Sequence, residues 1–165
     1  MAATLVLSVQ YGASAGTAAD SVPGIDLISA DNYYNTLSNR QANPITVGTN
    51  SYEKWIRLKI TATPANYVQS FMVWFNSTVD TSTTLYFTGG YVTYQQGTTG
   101  PSGIANAVST AWTSSTKANW DTAAYWGTGG VGQYTKYLVL QLAVGATAGP
   151  GNWTQQTVNY SYQEA

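Results

Sequence analysis

The sequence predicts a single all-β domain, a β-sandwich or barrel with a jelly-roll-like arrangement preferred, carrying long loops and an extended amino-terminal segment. Three observations predict it. Apolar residues recur with a period of two in several separate segments, glycine and proline punctuate those segments, and no long stretch shows the 3.6-residue period of an amphipathic helix. At 165 residues the chain is large enough to bury its own core as one domain spanning 1–165.

Taken in order, residues 5–9 read as the first strand, with Leu5, Leu7 and Val9 on one face. Residues 12–23, rich in small side chains and closed by Pro23, read as an extended arm or loop, and 25–28 as a short second strand. The clearest strand is 52–62, where Ile56, Leu58 and Ile60 alternate with Trp55, Arg57 and Lys59. The first set faces the core, and the second is expected on a wet or partner-facing side. Pro64-Ala65-Asn66 interrupts the pattern. It resumes over 67–75 with Phe71, Val73 and Phe75 on one side and Val68, Met72 and Trp74 on the other, as expected of a central strand covered on both faces. Leu85-Tyr86-Phe87 and Tyr91 to Tyr94 flank Thr88-Gly89-Gly90, which reads as a hairpin. Residues 97–132 read as a loop-rich insertion holding Trp112, Trp120 and Trp126, with a helical turn at 104–108. Two last strands are expected at 137–144 and 154–162, joined through Gly149-Pro150-Gly151.

Charged residues make up only 8% of the chain, against about a quarter in ordinary soluble domains. The surface is therefore built from Thr, Ser, Asn, Gln, Gly and Tyr, and little charge repulsion opposes packing against a neighbour. Six cations, a net charge of −1 and no basic cluster argue against nucleic acid as a partner. No apolar run approaches the roughly 20 residues of a spanning helix, so no membrane partner is expected. Met1-Ala2-Ala3-Thr4 lacks the pattern of a signal peptide, which predicts cytoplasmic synthesis. The chain has no Cys and no His, so the usual nucleophile and base arrangements and almost all structural zinc sites are ruled out. No cofactor is expected.

Carboxylate chemistry is what remains. A glycosidase needs two carboxylates flanking one bond, whereas Asp26, Asp31, Asp80 and Asp121 are scattered over separate segments and read as turn and cap residues. Asp20, Asp26 and Asp31 do not reproduce a calcium-loop spacing, and Gly127-Thr128-Gly129-Gly130 lacks the Lys of a phosphate loop. The chain is read as a non-enzyme. Its aromatic residues are the richer signal. Tyr33, Tyr34, Trp112, Trp120, Tyr125 and Trp126 fall in expected loops, where they serve as interface anchors, sugar-stacking platforms or buried satellite cores.

Three segments carry a resemblance: Glu53-Lys54-Trp55-Ile56-Arg57-Leu58-Lys59-Ile60, the V-x-x-F-x-V-W pattern from Val68 to Trp74, and the ending from Gly149-Pro150-Gly151 through Gln155 to Glu164. With its basic-aromatic strand, then an apolar strand, then a Tyr-rich close, the chain resembles small virion structural proteins of tailed bacteriophages. The resemblance implies a capsid decoration (cement) protein bound to the major capsid protein and to itself, with a trimer as the expected multimer, or else a tail or baseplate part. A carbohydrate-binding or receptor-binding module is the alternative. The expected interface residues are Tyr11, Pro23, Trp55, Arg57, Lys59, Trp112, Trp120 and Trp126.

Overall fold

The computed structural model describes residues 3–13, 16–75, 82–100, 106–107, 113–149 and 157–165. Nine strands and one short helix occur among them: β1 (Thr4–Tyr11), β2 (Thr17–Asp20), α1 (Leu37–Ala42), β3 (Lys54–Ala62), β4 (Tyr67–Phe75), β5 (Thr83–Tyr91), β6 (Asn106–Ala107), β7 (Ala118–Gly127), β8 (Tyr137–Val144) and β9 (Val158–Glu164). They form two antiparallel sheets, β2-β1-β3-β8-β5-β6 and β7-β4-β9. The fold is a β-sandwich, and its sheets are not closed into a barrel. Its described strands divide six and three, whereas a jelly roll is built on eight strands in two Greek keys.

Period-two patterning places the inner face of the larger sheet. Val9, Ile56, Leu58, Ile60, Leu85, Phe87, Leu138, Leu140 and Leu142 are buried against Val68, Phe71, Val73, Phe75, Ala118 and Trp120 of the smaller one. The side chain of Val68 belongs with Phe71 and not with Met72. The physical reason is a bulge: Ser70 has φ 58 and the register shifts between Gln69 and Phe71, so the alternation changes phase there. β4 is central in its sheet, but Met72 and Trp74 on its outer face are only half-buried, so among the described residues no second layer covers it.

Other expectations are corrected. Residues 12–23 are not arm or loop throughout, because Thr17–Asp20 within them is β2, paired antiparallel with β1. Residues 25–28 form no strand. Residues 83–91 are one strand and not the start of a hairpin, since β5 runs through Gly89-Gly90 while pairing with β8. A Cβ on Gly89 would lie 2.5 Å from the Asn119 carbonyl oxygen and 2.9 Å from the Trp120 Cα. The glycine is there for the crossing of β5 by β7. The 97–132 segment contains the ten-residue β7, and Asn106–Ala107 is strand and not helix. The last two strands belong to opposite sheets, β8 in the larger and β9 beside β4, and β9 begins at Val158.

The outer face of the larger sheet is covered by folded-back loops. Gln141 donates its amide to the carbonyls of Ser51, Thr98 and Gly100 at 3.0, 3.1 and 3.3 Å. The ammonium of Lys54, whose residue is only 1% exposed, is capped by the carbonyls of Ala30 at 2.6 Å and Asn32 at 2.8 Å. Burial pushes this ammonium down to about 8, although Asp31 and Asp26 pull it upward. Beneath these loops Trp55, Tyr137 and Val139 form a second apolar cluster with Tyr86, Tyr91 and Tyr94 around it.

Candidate binding surface

Covered by those loops, Trp55 is 3% exposed and does not face a partner. Its indole N–H donates to Glu53 Oε2 at 3.3 Å, and its ring meets Tyr91, Tyr94 and Tyr137 at centroid distances of 5.1 to 5.6 Å. Trp120 is likewise core and not loop. It is 1% exposed and donates its indole N–H to the Lys136 carbonyl at 2.9 Å. Trp126 is half-buried on β7, packed on Phe71 at 5.2 Å. Trp112 and Asp80 lie outside the described residues.

Arg57 and Lys59 are half-buried on the outer side of β3, where the structure sets two further residues beside them. Tyr134 pairs opposite Lys59, and Tyr137 opens β8. The guanidinium carbon of Arg57 sits 3.8 Å from the Tyr134 ring centroid and 4.8 Å from that of Tyr137, within cation–π reach of both. Lys59 bonds Asp20, and the Tyr134 hydroxyl donates to the same carboxylate at 3.2 Å. Burial raises the Asp20 carboxyl, but these partners outweigh it and hold it below the ordinary value. Tyr137 donates its hydroxyl to Gln10 Oε1 at 2.6 Å, and desolvation raises its phenol against the pull of Arg57.

Beside this guanidinium lies an open depression of about 300 Å³. It is lined by Arg57, Tyr134 and Tyr137, by the apolar Val92, Ala123, Ala124 and Trp126, and by Asp121 and Lys136. Asp121 accepts from the Lys136 backbone N–H at 2.8 Å, and the Lys136 ammonium lies 3.5 Å from its other oxygen. Of the expected interface residues, the structure thus gathers Arg57 and Trp126 in one pocket. Outside it, the Lys59 ammonium lies 5.3 Å from the Tyr134 ring centroid, Trp55 packs on Tyr137, and Trp120 donates to the Lys136 carbonyl.

Tyr11 belongs to a different patch. Its ring meets Tyr33 at 4.9 Å and Tyr33 meets Tyr34 at 4.6 Å, a ladder that ends on the exposed Tyr34, and Leu37 nearby in the chain is exposed too. Leu37 begins α1, whose N-cap Thr36 accepts from the Asn39 N–H at 3.2 Å. Pro23 is exposed between this patch and β2. A third surface is the outer face of the smaller sheet. There Tyr67 and Tyr125 stack at 5.2 Å, and the Gln69 amide donates to that of Gln163 at 3.0 Å. Trp74 lies under the Lys117 ammonium at 5.1 Å.

The candidate catalytic carboxylates are held apart in separate structural bonds. Asp26 pairs with Arg40 at 3.0 Å, and Asp31 accepts from the Gly12 N–H at 2.9 Å. Among the described residues no group of three or more acidic side chains is placed to hold a metal ion, and no helix is long and apolar enough to cross a membrane. No protein-family model, curated protein or solved structure matches the chain.

Proposed function

We propose that this chain is an adhesive structural protein of a tailed-phage virion, a decoration protein that packs on the head shell as a multimer and stabilises it without catalysing a reaction. The observation that carries the proposal is where the charges go. Of the seven acidic residues, six are described, and all six have a partner inside the chain. Asp20, Asp26 and Asp121 are in ion pairs. Asp31 and Glu164 accept backbone N–H groups, of Gly12 and Ala3, and the buried Glu53 accepts the Trp55 indole. What is left outside is largely hydroxyl, amide and ring, with Tyr34, Leu37, Val47, Val92, Tyr125 and Val131 as exposed apolar groups.

Laying such a surface on another protein strips water from few unpaired charges, which is the main electrostatic cost of forming an interface. Exposed Tyr and aliphatic groups then supply the contact area. The test is to compare phage heads with and without this protein under heat and osmotic shock, and to add purified protein back to bare heads. Complete heads should survive where bare ones burst, and added protein should restore them. Equal survival of both kinds of head overturns the proposal.

The stacked Tyr67 and Tyr125 beside the Gln69 and Gln163 amides favour a second reading, a glycan-binding face. Aromatic rings stack on the apolar faces of sugar rings, and amides bond the hydroxyls. Titration with oligosaccharides, read by intrinsic fluorescence in the protein and in Tyr125→Ala, tests it. An unchanged spectrum across neutral glycans removes this reading.

A further inference from the structure

We infer that the Arg57 pocket is a socket for one carboxylate side chain of the protein surface on which the sandwich packs; this rests on the assembly role proposed above. The first ground is the state of the cations. Arg40, Lys59 and Lys136 each hold a carboxylate, Lys54 is capped by two carbonyls, and Lys117 donates to Ser161 Oγ at 3.0 Å. Among the described residues, Arg57 makes no ion pair, and its Nε is buried with no acceptor. The buried Nε is closed to solvent, but a guanidinium with no carboxylate of its own chain leaves its charge to be matched from outside through its terminal N–H groups.

The second ground is geometry. The guanidinium lies against both the Tyr134 and Tyr137 rings, so its planar fork is oriented before any ligand arrives, which lowers the ordering cost of binding. A carboxylate matches that fork with two parallel hydrogen bonds. The third ground is the shape and charge of the recess. Its volume of about 300 Å³ lies at the small end of ligand pockets, and Val92, Ala123 and Ala124 offer an apolar wall to the methylene stem of a glutamate. Asp121, which also lines the recess, has its Oδ1 3.5 Å from the Lys136 ammonium without a hydrogen bond, and Arg57, Lys136 and Asp121 together carry a net of one positive charge. That suits a monoanion and disfavours a phosphate dianion, which would meet the Asp121 carboxylate.

The experiment follows the Arg57 Nε–H signal by NMR at neutral pH. The probe is glutamate blocked at both backbone ends, compared with blocked glutamine, glucuronate and inorganic phosphate. The glutamate probe should shift the signal saturably, and the glutamine probe should not. In the variants, which lack that signal, binding is read on the backbone amide signals of Tyr134 and Tyr137, and R57Q should lose at least about tenfold in affinity for the glutamate probe, the loss expected on removing a charge-assisted hydrogen bond. R57K, which keeps the charge without the fork, should fall between the two, with the melting temperature of each variant checking that it remains folded. Absence of a shift, an equal response to glutamine, or tighter binding of glucuronate or phosphate overturns the assignment. Add-back to bare heads separates the two proposals. If R57Q attaches as well as the wild type, the socket is wrong and the assembly role stands. If the wild type does not attach, the assembly role fails on its own.

Discussion

Lys54 makes the stability of this protein depend on pH in a direction opposite to that of a paired surface lysine. Its ammonium is buried on the carbonyls of Ala30 and Asn32, and desolvation lowers it from the ordinary 10.5 to about 8. The unfolded chain therefore binds more protons than the folded one between those two values, and stability rises with pH across that window. From pH 7 to pH 10 the gain from this one group is about 2 to 3 kcal/mol, because a tenfold change in a proton-binding equilibrium is worth about 1.36 kcal/mol. Burial holds Tyr94 up to about 12 and raises Tyr11, Tyr137, Tyr160 and Tyr162. Above about pH 10 the unfolded tyrosines ionise first and stability turns down. Urea unfolding at pH 7, 8, 9 and 10, in the wild type and in Lys54→Met, separates these contributions, because the tyrosines are common to both proteins. The difference in unfolding free energy should grow with pH in favour of the wild type by about 2 to 3 kcal/mol. A difference that stays flat from pH 7 to pH 10 refutes the buried-ammonium argument.

Gly89→Ala should destabilise by about 1–3 kcal/mol through overpacking, lowering Tm by on the order of 3–10 °C for a chain of this size; Gly129→Ala, which meets nothing within 4 Å, is the matched control and should leave Tm unchanged. Trp120→Ala should cost about 3–5 kcal/mol as a core truncation, read as a drop in the urea midpoint, and it should do so in the absence of any partner. The double change Tyr34→Ser with Leu37→Ser should alter stability by less than about 0.5 kcal/mol while weakening attachment to bare heads in a sedimentation assay. A matching loss of Tm would show instead that the ladder from Tyr11 to Tyr34 is a structural support.

Alternation is a property of the extended backbone itself, so a single strand shows its two faces without reference to the rest of the chain. That is why the inner residues Ile56, Leu58, Ile60, Phe71, Val73, Phe75, Leu138, Leu140 and Leu142, and with them the all-β class, were legible in the sequence. The scarcity of charge was legible as well. Which sheet a strand joins was not, because β3 and β4 are neighbours in the chain and lie in opposite sheets, as do β8 and β9. Gly89-Gly90 looks locally like a turn. Only the close approach of β7, which leaves no room for a Cβ on Gly89, and the positive φ of Gly90 show why two glycines sit inside a strand.

The fate of outward-facing residues depended most on tertiary structure. Trp55, Arg57 and Lys59 are equivalent by periodicity, yet Trp55 is sealed under loops that fold back from far along the chain, while Arg57 lies at a pocket. Trp120 and Trp126 looked like loop residues because glycine and threonine surround them, and the pairing of β7 with β4 made them strand. Local spacing sets which way a side chain points. What it meets there is decided by contacts between distant segments, and the meeting of Arg57 with Tyr134 and Tyr137 exists only once β3 and the approach to β8 lie side by side.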